Sequence, residues 1–350
     1  MSTIPDRSGT TGFQRNGVAD LLKGIAVILM IQVHILEQFS TVEFYDSLAG
    51  KVSLFLGGPF CAPVFMAVMG YFLAGSSRKT SYFIRRGLLL FAGGILLNAG
   101  RSANLAFHLA REEFSLNLPD YLFGADILTL AGMSILIIPL LRMIFRKTWW
   151  PWFLASLAVA VVSSFLPDLY FPGSSVSYPL AFLGGTAPWS YFPLLPWFSY
   201  ILLGYAFRQL PEKLLNPVRA ALMGNRFLLP LLIAVIATVP YASNITCDLQ
   251  GKYYHHGLFF FLWMILFLAA WVGVTLRAEK NTGDNAAMRF IKWTGRNVTV
   301  IYVIQWLIIG NLATEFYKTQ GPAFSLLWFL LITLTSFLLA WIYKKMVSPG

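Results

Sequence analysis

Residues 18–39 read VADLLKGIAVILMIQVHILEQF, and the interpretation of the whole chain turns on them. The run is long enough to cross a bilayer as a helix, which takes about 20 apolar residues. It nevertheless carries Asp20 and Lys23 near its start and His34 eleven positions past Lys23. At helical rise that spacing is roughly 16 Å along the axis and close to three full turns. Lys23 and His34 are therefore expected on one face, at different depths. Ionisable groups inside a span are costly and as a rule face a bundle interior or a wet cavity. The face is read as the wall of a site, and the remaining chain as its cage.

The 350 residues are 57% hydrophobic and 12% charged, whereas a soluble domain carries about 25% charged residues. The expected fold is an all-α polytopic membrane protein. Its apolar runs are continuous, which argues against the alternating strands of a barrel. Ten spans are expected, near 18–38, 53–75, 82–99, 122–145, 149–167, 191–208, 226–243, 257–276, 296–313 and 323–343. The fifth and sixth are the weakest, and Pro193 and Pro196 predict a kink in the sixth.

The connecting segments test that count. With the N-terminus inside, 21 of the 26 Lys and Arg residues fall on the cytoplasmic side. Only Lys51, Arg101, Arg111, Lys252 and Lys318 fall outside. This is the asymmetry of the positive-inside rule. It predicts both termini in the cytoplasm, a flexible tail over 1–17 with Arg7 and Arg15, and one transmembrane domain over 18–345. The net charge of +11 then reflects topology, and nucleic acid is not an expected partner. Cys61 and Cys247 imply no disulfide framework. No cleavable signal peptide is expected, because the first apolar run is too long and lacks a small-residue cleavage site. No inverted repeat of the transporter kind is visible.

Three groups of residues suit chemistry. Imidazole accepts a proton near pH 7, so His34 suits a general base; the alternative is an interhelical hydrogen bond for packing. The run SSRKTSYFIRR, 76–86, places Arg78, Lys79, Arg85 and Arg86 at one junction. Arginines grip phosphates bidentately, which fits a donor such as coenzyme A; the alternative is an anchor on anionic lipid. Asp126, in FGADILTL, needs a partner if buried. It lies at a depth matching His34 and is a candidate to orient it. Asn98 and Gln305 are read as helix–helix hydrogen-bonding residues. The outer connections contain His108, Arg111, Glu112 and Glu113 in one, and Tyr253, Tyr254, His255 and His256 in another. Aromatic and hydroxyl side chains there suit a sugar, or else an interfacial aromatic belt. Phosphate-loop, dinucleotide, metal-spacing and serine-elbow signatures are all missing, so no metal is expected.

ADLLKGIAVILMIQVH (19–34) resembles the first helix of the acyltransferase-3 and heparan-α-glucosaminide N-acetyltransferase-like superfamily. That pattern is Asp, two residues, Arg-Gly, then a helix ending in His; here it is Asp20, Lys23-Gly24 and His34. APVFMAVMGYFLAGSSRKTSYFIRRGLLL (62–90), LFGADILTLAGMSILI (122–137), PWFSYILLGY (196–205) and WTGRNVTVIYVIQWLI (293–308) are similar to later segments of the group. Lys23 replaces the usual arginine, and Gln305 stands where histidine is frequent. The resemblance implies transfer of an acyl group, commonly acetyl, from cytoplasmic acyl-CoA to an extracytoplasmic hydroxyl or amine on a sugar or glycan. It implies that His34 acts as base or acyl relay and that Asp126 orients it or balances charge. It also implies that Lys23, Arg78, Arg85 and Arg86 hold the donor. Membrane lipids are the remaining partners, the expected setting is a bacterial inner membrane, and the oligomeric state, a homodimer included, is left open. The rival readings are a transporter or flippase for a polar lipid or small solute, and a structural subunit.

Overall fold

The computed structural model describes residues 16–145, 147–283 and 285–347. Of the expected tail only Asn16 and Gly17 fall within them; Arg7 and Arg15 lie outside the described residues, as does Arg146. Asn16 caps the first helix, its side chain accepting from the Ala19 N–H at 3.2 Å.

In chain order the helices are α1 (Gly17–Phe39), α2 (Val42–Asp46), α3 (Leu48–Gly57), α4 (Ala62–Ala74), α5 (Thr80–Arg101), α6 (Ala103–Ala110) and α7 (Leu118–Leu122). Next come α8 (Ile127–Ile144), α9 (Trp149–Ser164), α10 (Ser177–Leu183), α11 (Leu194–Arg208), α12 (Glu212–Met223), α13 (Asn225–Ala237) and α14 (Val239–Thr246). After a π-helical turn at Leu249–Tyr253 the chain closes with α15 (Leu258–Thr282), α16 (Ala286–Arg296), α17 (Val298–Phe316) and α18 (Pro322–Val347). No strand forms among the described residues; two isolated bridges, Ser40 with Gln320 and Ala125 with Ser190, link connections.

Seven helical segments are long and apolar enough to cross a membrane, or eight if the α12–α13 pair, bent by 73°, is one span. The chain is thus an all-α polytopic membrane protein. Every expected span is helical over most of its length, but several are shorter or interrupted: the one at 53–75 is divided between α3 and α4, and α8 covers only 127–144 of 122–145. α9 has 16 residues and α11 has 15, and the expected span at 226–243 is divided between α13 and α14 at Thr238. α11 can be short because protein surrounds it. It packs between α4 and α9, with Trp197 and Tyr200 fully buried. At ~1.5 Å per residue it reaches about 23 Å, less than the ~30 Å hydrocarbon layer. Its expected kink falls at Leu195, where the backbone leaves helical geometry.

Contacts sort the connections into two ends. At one end the Lys318 N–H donates to Gln38 O at 3.0 Å, and Ala125 N–H to Trp189 O at 2.9 Å. At the other, Arg296 meets Asp20 at 3.0 Å and Arg277 donates to Met223 O at 2.9 Å. These are the groupings that alternating spans require, and the ends are called outer and inner below.

Without a hydrophobic drive between helices in lipid, close contact depends on small residues. α4 and α11 cross through reciprocal glycines. A Cβ on Gly70 would lie 1.9 Å from Ile201 O, and one on Gly204 the same distance from Ala67 O. α1 and α16 repeat the device with Gly24 against Ile291 O and Gly295 against Asp20 O. Gly204→Ala is therefore expected to push α4 and α11 apart and to destabilise the protein by about 1–3 kcal/mol. A lowered unfolding midpoint in detergent is the readout, with the lipid-facing Leu330→Ala as the mild control.

Candidate active site

The buried carboxylate of Asp126 organises the site. Asp126 is the N-cap of α8: its side chain accepts from the Ile127 N–H, and its own N–H donates to Thr129 Oγ1 at 3.0 Å. Two neighbouring helices complete its shell. Arg101, at the outer end of α5, donates to Oδ2 at 3.2 Å, and the Tyr302 hydroxyl of α17 donates to Oδ1. Asn98 pins the preceding loop by donating to Leu122 O at 3.1 Å and Gly124 O at 2.9 Å. Such satisfaction is what makes a charge tolerable at this depth.

His34 lies beside this cluster. Its Nδ1–H donates to Gln305 Oε1 at 3.2 Å, so Nε2 is left with its lone pair. The ring packs against Trp306 with centroids 4.3 Å apart, and the Arg101 guanidinium lies 4.6 Å from the same indole. Trp306 thus joins the imidazole to the ion pair. Asp126 itself makes no hydrogen bond to His34, since its oxygens are engaged by Arg101, Tyr302 and Ile127; any effect on His34 acts through charge.

His34, Asp126, Arg101 and Glu37 all line one cavity of about 600 Å³. Tyr191, Tyr253 and Tyr254 add aromatic surface to its lining, Tyr191 beside Arg101 and Asp126. His256 donates from Nδ1 to Tyr253 O and accepts from the Tyr200 hydroxyl, both at 2.7 Å. Burial pushes the His256 imidazole down to about 4, which keeps it neutral in this arrangement. His255 does not line the cavity. The innermost lining residues are Met30 on α1, Phe65 on α4 and Tyr302 on α17. Beneath Met30 and Phe65, Leu22, Ala26 and Val68 continue a buried apolar cluster.

The structure therefore brings together two of the residues singled out from sequence, His34 and Asp126. It does not bring the basic ones to them. Lys23 lies at the inner end, 3.0 Å from Asp20, which Arg296 also meets. The shared face expected with His34 leads to that ion pair instead of the cavity, because the nearest carboxylate claims the ammonium. Arg78 covers the Tyr82 ring, Arg86 donates to the Tyr82 hydroxyl at 3.2 Å, and Arg85 is exposed. None of the three lines the cavity. Arg101, Glu37 and Trp306 were not identified as site residues from the sequence. A signal for Arg101 existed: it is one of only five basic residues assigned to the outer side, directly after an apolar run.

The cavity mouth is roofed by the α6–α7 connection and α7, whose Phe114, Leu116 and Tyr121 line it. His108 of α6 fastens that roof to α17, pairing with Glu113 and, at 2.9 Å, with Glu315. Asn104 N–H adds a bond to Asn311 Oδ1 at 2.8 Å.

A family model described as heparan-alpha-glucosaminide N-acetyltransferase, catalytic, matches residues 15–239. The match takes in His34, Glu37, Arg101, Asp126 and Tyr191; the α17 side of the site, with Tyr302, Gln305 and Trp306, lies beyond it. No curated protein and no solved structure matches the chain.

Two outcomes follow from these contacts. Removing one partner of a buried ion pair leaves the other uncompensated, at a cost of about 3–5 kcal/mol. Arg101→Leu and Asp126→Asn are each expected to lower the unfolding midpoint strongly, and the double variant to lose clearly less than the sum. The second outcome concerns pH. The hydrogen bond to Glu113, with help from Glu315, raises the His108 imidazole above its ordinary value. A raised folded value means stabilisation present below the unfolded value of about 6.5 and lost as pH rises through the folded one. Arg111, 3.7 Å from Glu113, is the other charge facing the pair and stays ionised throughout. Thermal scans between pH 6 and 9 should show a fall in the wild type that His108→Gln removes.

Proposed function

Because the chain belongs to the heparan-α-glucosaminide N-acetyltransferase catalytic family of membrane N-acetyltransferases, we propose that it moves an acetyl or related acyl group from acyl-CoA to an acceptor in the outer cavity. The observation that carries this reading is His34. Its Nδ1 is occupied by Gln305, and it lies in a cavity that opens among the outer connections. The ring nitrogen that Gln305 does not engage is available to a ligand in that cavity.

In the proposed reaction Nε2 takes the proton of an acceptor amine or hydroxyl as its nitrogen or oxygen attacks the thioester carbonyl. The C–S bond breaks, a C–N or C–O bond forms, and the proton passes from imidazole to the departing thiolate. In the relay variant Nε2 attacks the thioester carbonyl, the C–S bond breaks and the CoA thiolate leaves; the acceptor then attacks the acyl-imidazolium, the N–C bond breaks and the acceptor's proton passes to Nε2. Arg101 supplies positive charge beside the developing oxyanion, partly spent on Asp126. The acceptor is a sugar or glycan, whose ring faces suit Tyr191, Tyr253 and Tyr254 and whose hydroxyls suit the polar groups. The donor phosphates would be held at the inner end by the exposed Arg85 with Arg78, Arg86 and Lys23. Support for that part is the charge of all four and the exposed position of the three arginines. The thioester then has to pass the layer of Met30, Phe65 and Tyr302.

The test uses purified protein in nanodiscs with radiolabelled acetyl-CoA and simple amino sugars. Wild type should form labelled product, and His34→Ala should lower the rate by about 10²–10⁴, the range for loss of a general base. Solute uptake into proteoliposomes that needs no acyl-CoA, with no labelled product, would favour the transporter reading instead.

A further inference from the structure

Among the charged groups lining the cavity, Glu37 stands apart. Arg101 and Asp126 neutralise one another at 3.2 Å. Glu37 follows His34 by three residues on α1, so both project from one face into the same space. Among the described residues no side chain makes a hydrogen bond or ion pair with its carboxylate. Lys318 is the cation whose field reaches it, but that ammonium is held 4.0 Å over the Tyr45 ring, and Lys318 does not line the cavity. A carboxylate that lines an outward-opening cavity without a protein partner is available to donors arriving from outside.

We infer that Glu37 is the residue that recognises the acceptor, taking hydrogen bonds from N–H or O–H groups beside the reacting one and so placing the latter at His34, one turn deeper. The chemical fit is specific. A carboxylate accepts from two neighbouring donors at once, as a sugar ring presents them. Tyr253 and Tyr254, which line the same cavity, supply aromatic surface for the C–H side of such a ring. Trp306 closes the His34 side. Glu37 acts on binding and orientation, and the proton transfer stays with His34. The inference takes the identity of the ligand, an acyl acceptor, from the function proposed above.

The deciding variant is Glu37→Gln, which keeps shape and polarity and removes the charge. The probes are glucosamine and glucose, with acetyl-CoA as donor. The acceptor KM is expected to rise about tenfold or more, the loss typical of a charge-assisted hydrogen bond, while the KM for acetyl-CoA stays within about twofold. Calorimetric titration of glucosamine, without donor, reads the same loss independently of turnover. A wild type that transfers acetyl groups and a Glu37→Gln variant with unchanged acceptor KM would overturn the inference and leave the enzyme reading standing. A wild type that transfers nothing, yet binds glucosamine tenfold better than Glu37→Gln, would overturn the enzyme reading and keep the site. Binding of neither sugar by wild type sinks the inference as well.

Discussion

One buried carboxylate sets the terms for the rest of the molecule. Asp126 sits at the start of α8 with almost no exposure, where an unmatched charge would cost several kcal/mol. It is matched from three helices at once: α8 by the cap, α5 by Arg101 and α17 by Tyr302. That convergence fixes the outer end of the bundle. Because the polar groups satisfy one another along the wall, they do not fill the space in front of it. The cavity remains, and the Trp306 ring, touched by both Arg101 and His34, sets the imidazole at its edge.

The helices were legible because apolar length and basic asymmetry are properties of single segments, readable without knowing any partner. What was not legible was span length where protein replaces lipid. α11 is surrounded, so 15 residues suffice, and no count of apolar residues reveals that. His34 and Asp126 were visible for a related reason: each interrupts an apolar run. Their partners were less so. Arg101 was assigned to a loop because the third span was expected to stop at residue 99, whereas α5 runs on to Arg101 and aims it inward. Glu37 lies in the last turn of α1, where charge ordinarily marks the exit from a membrane. Lys23 misled for a local reason. Helical spacing put it on the His34 face, but Asp20 three residues back holds it at the inner end. Gln305 was read as an interhelical hydrogen bond, and it makes one; that its partner is His34 could come only from coordinates.

The acyl transfer proposed for this chain, between two sides of a membrane, imposes a conflict that the layers of the fold bear on. A donor from the inner side must reach the imidazole, yet an open path from the basic inner end to the outer cavity would leak ions and protons. Here the path is interrupted by the side chains of Met30, Phe65 and Tyr302 and by the apolar cluster beneath Met30 and Phe65. Phe65 packs against three separate buried clusters, so its position is felt by α1, α4 and α17 together. The crossings below this floor are fixed differently. α1 against α16 and α4 against α11 meet backbone to backbone through glycines, leaving no side chain to rearrange. Rigid helix contacts at the inner end and a floor made only of side chains place the adjustable part of the barrier between donor and imidazole. A rotamer change there moves a few atoms, whereas parting the glycine crossings would expose backbone to lipid. In the proposed reaction the barrier to a thioester is therefore lowest at Phe65, where side chains alone have to move.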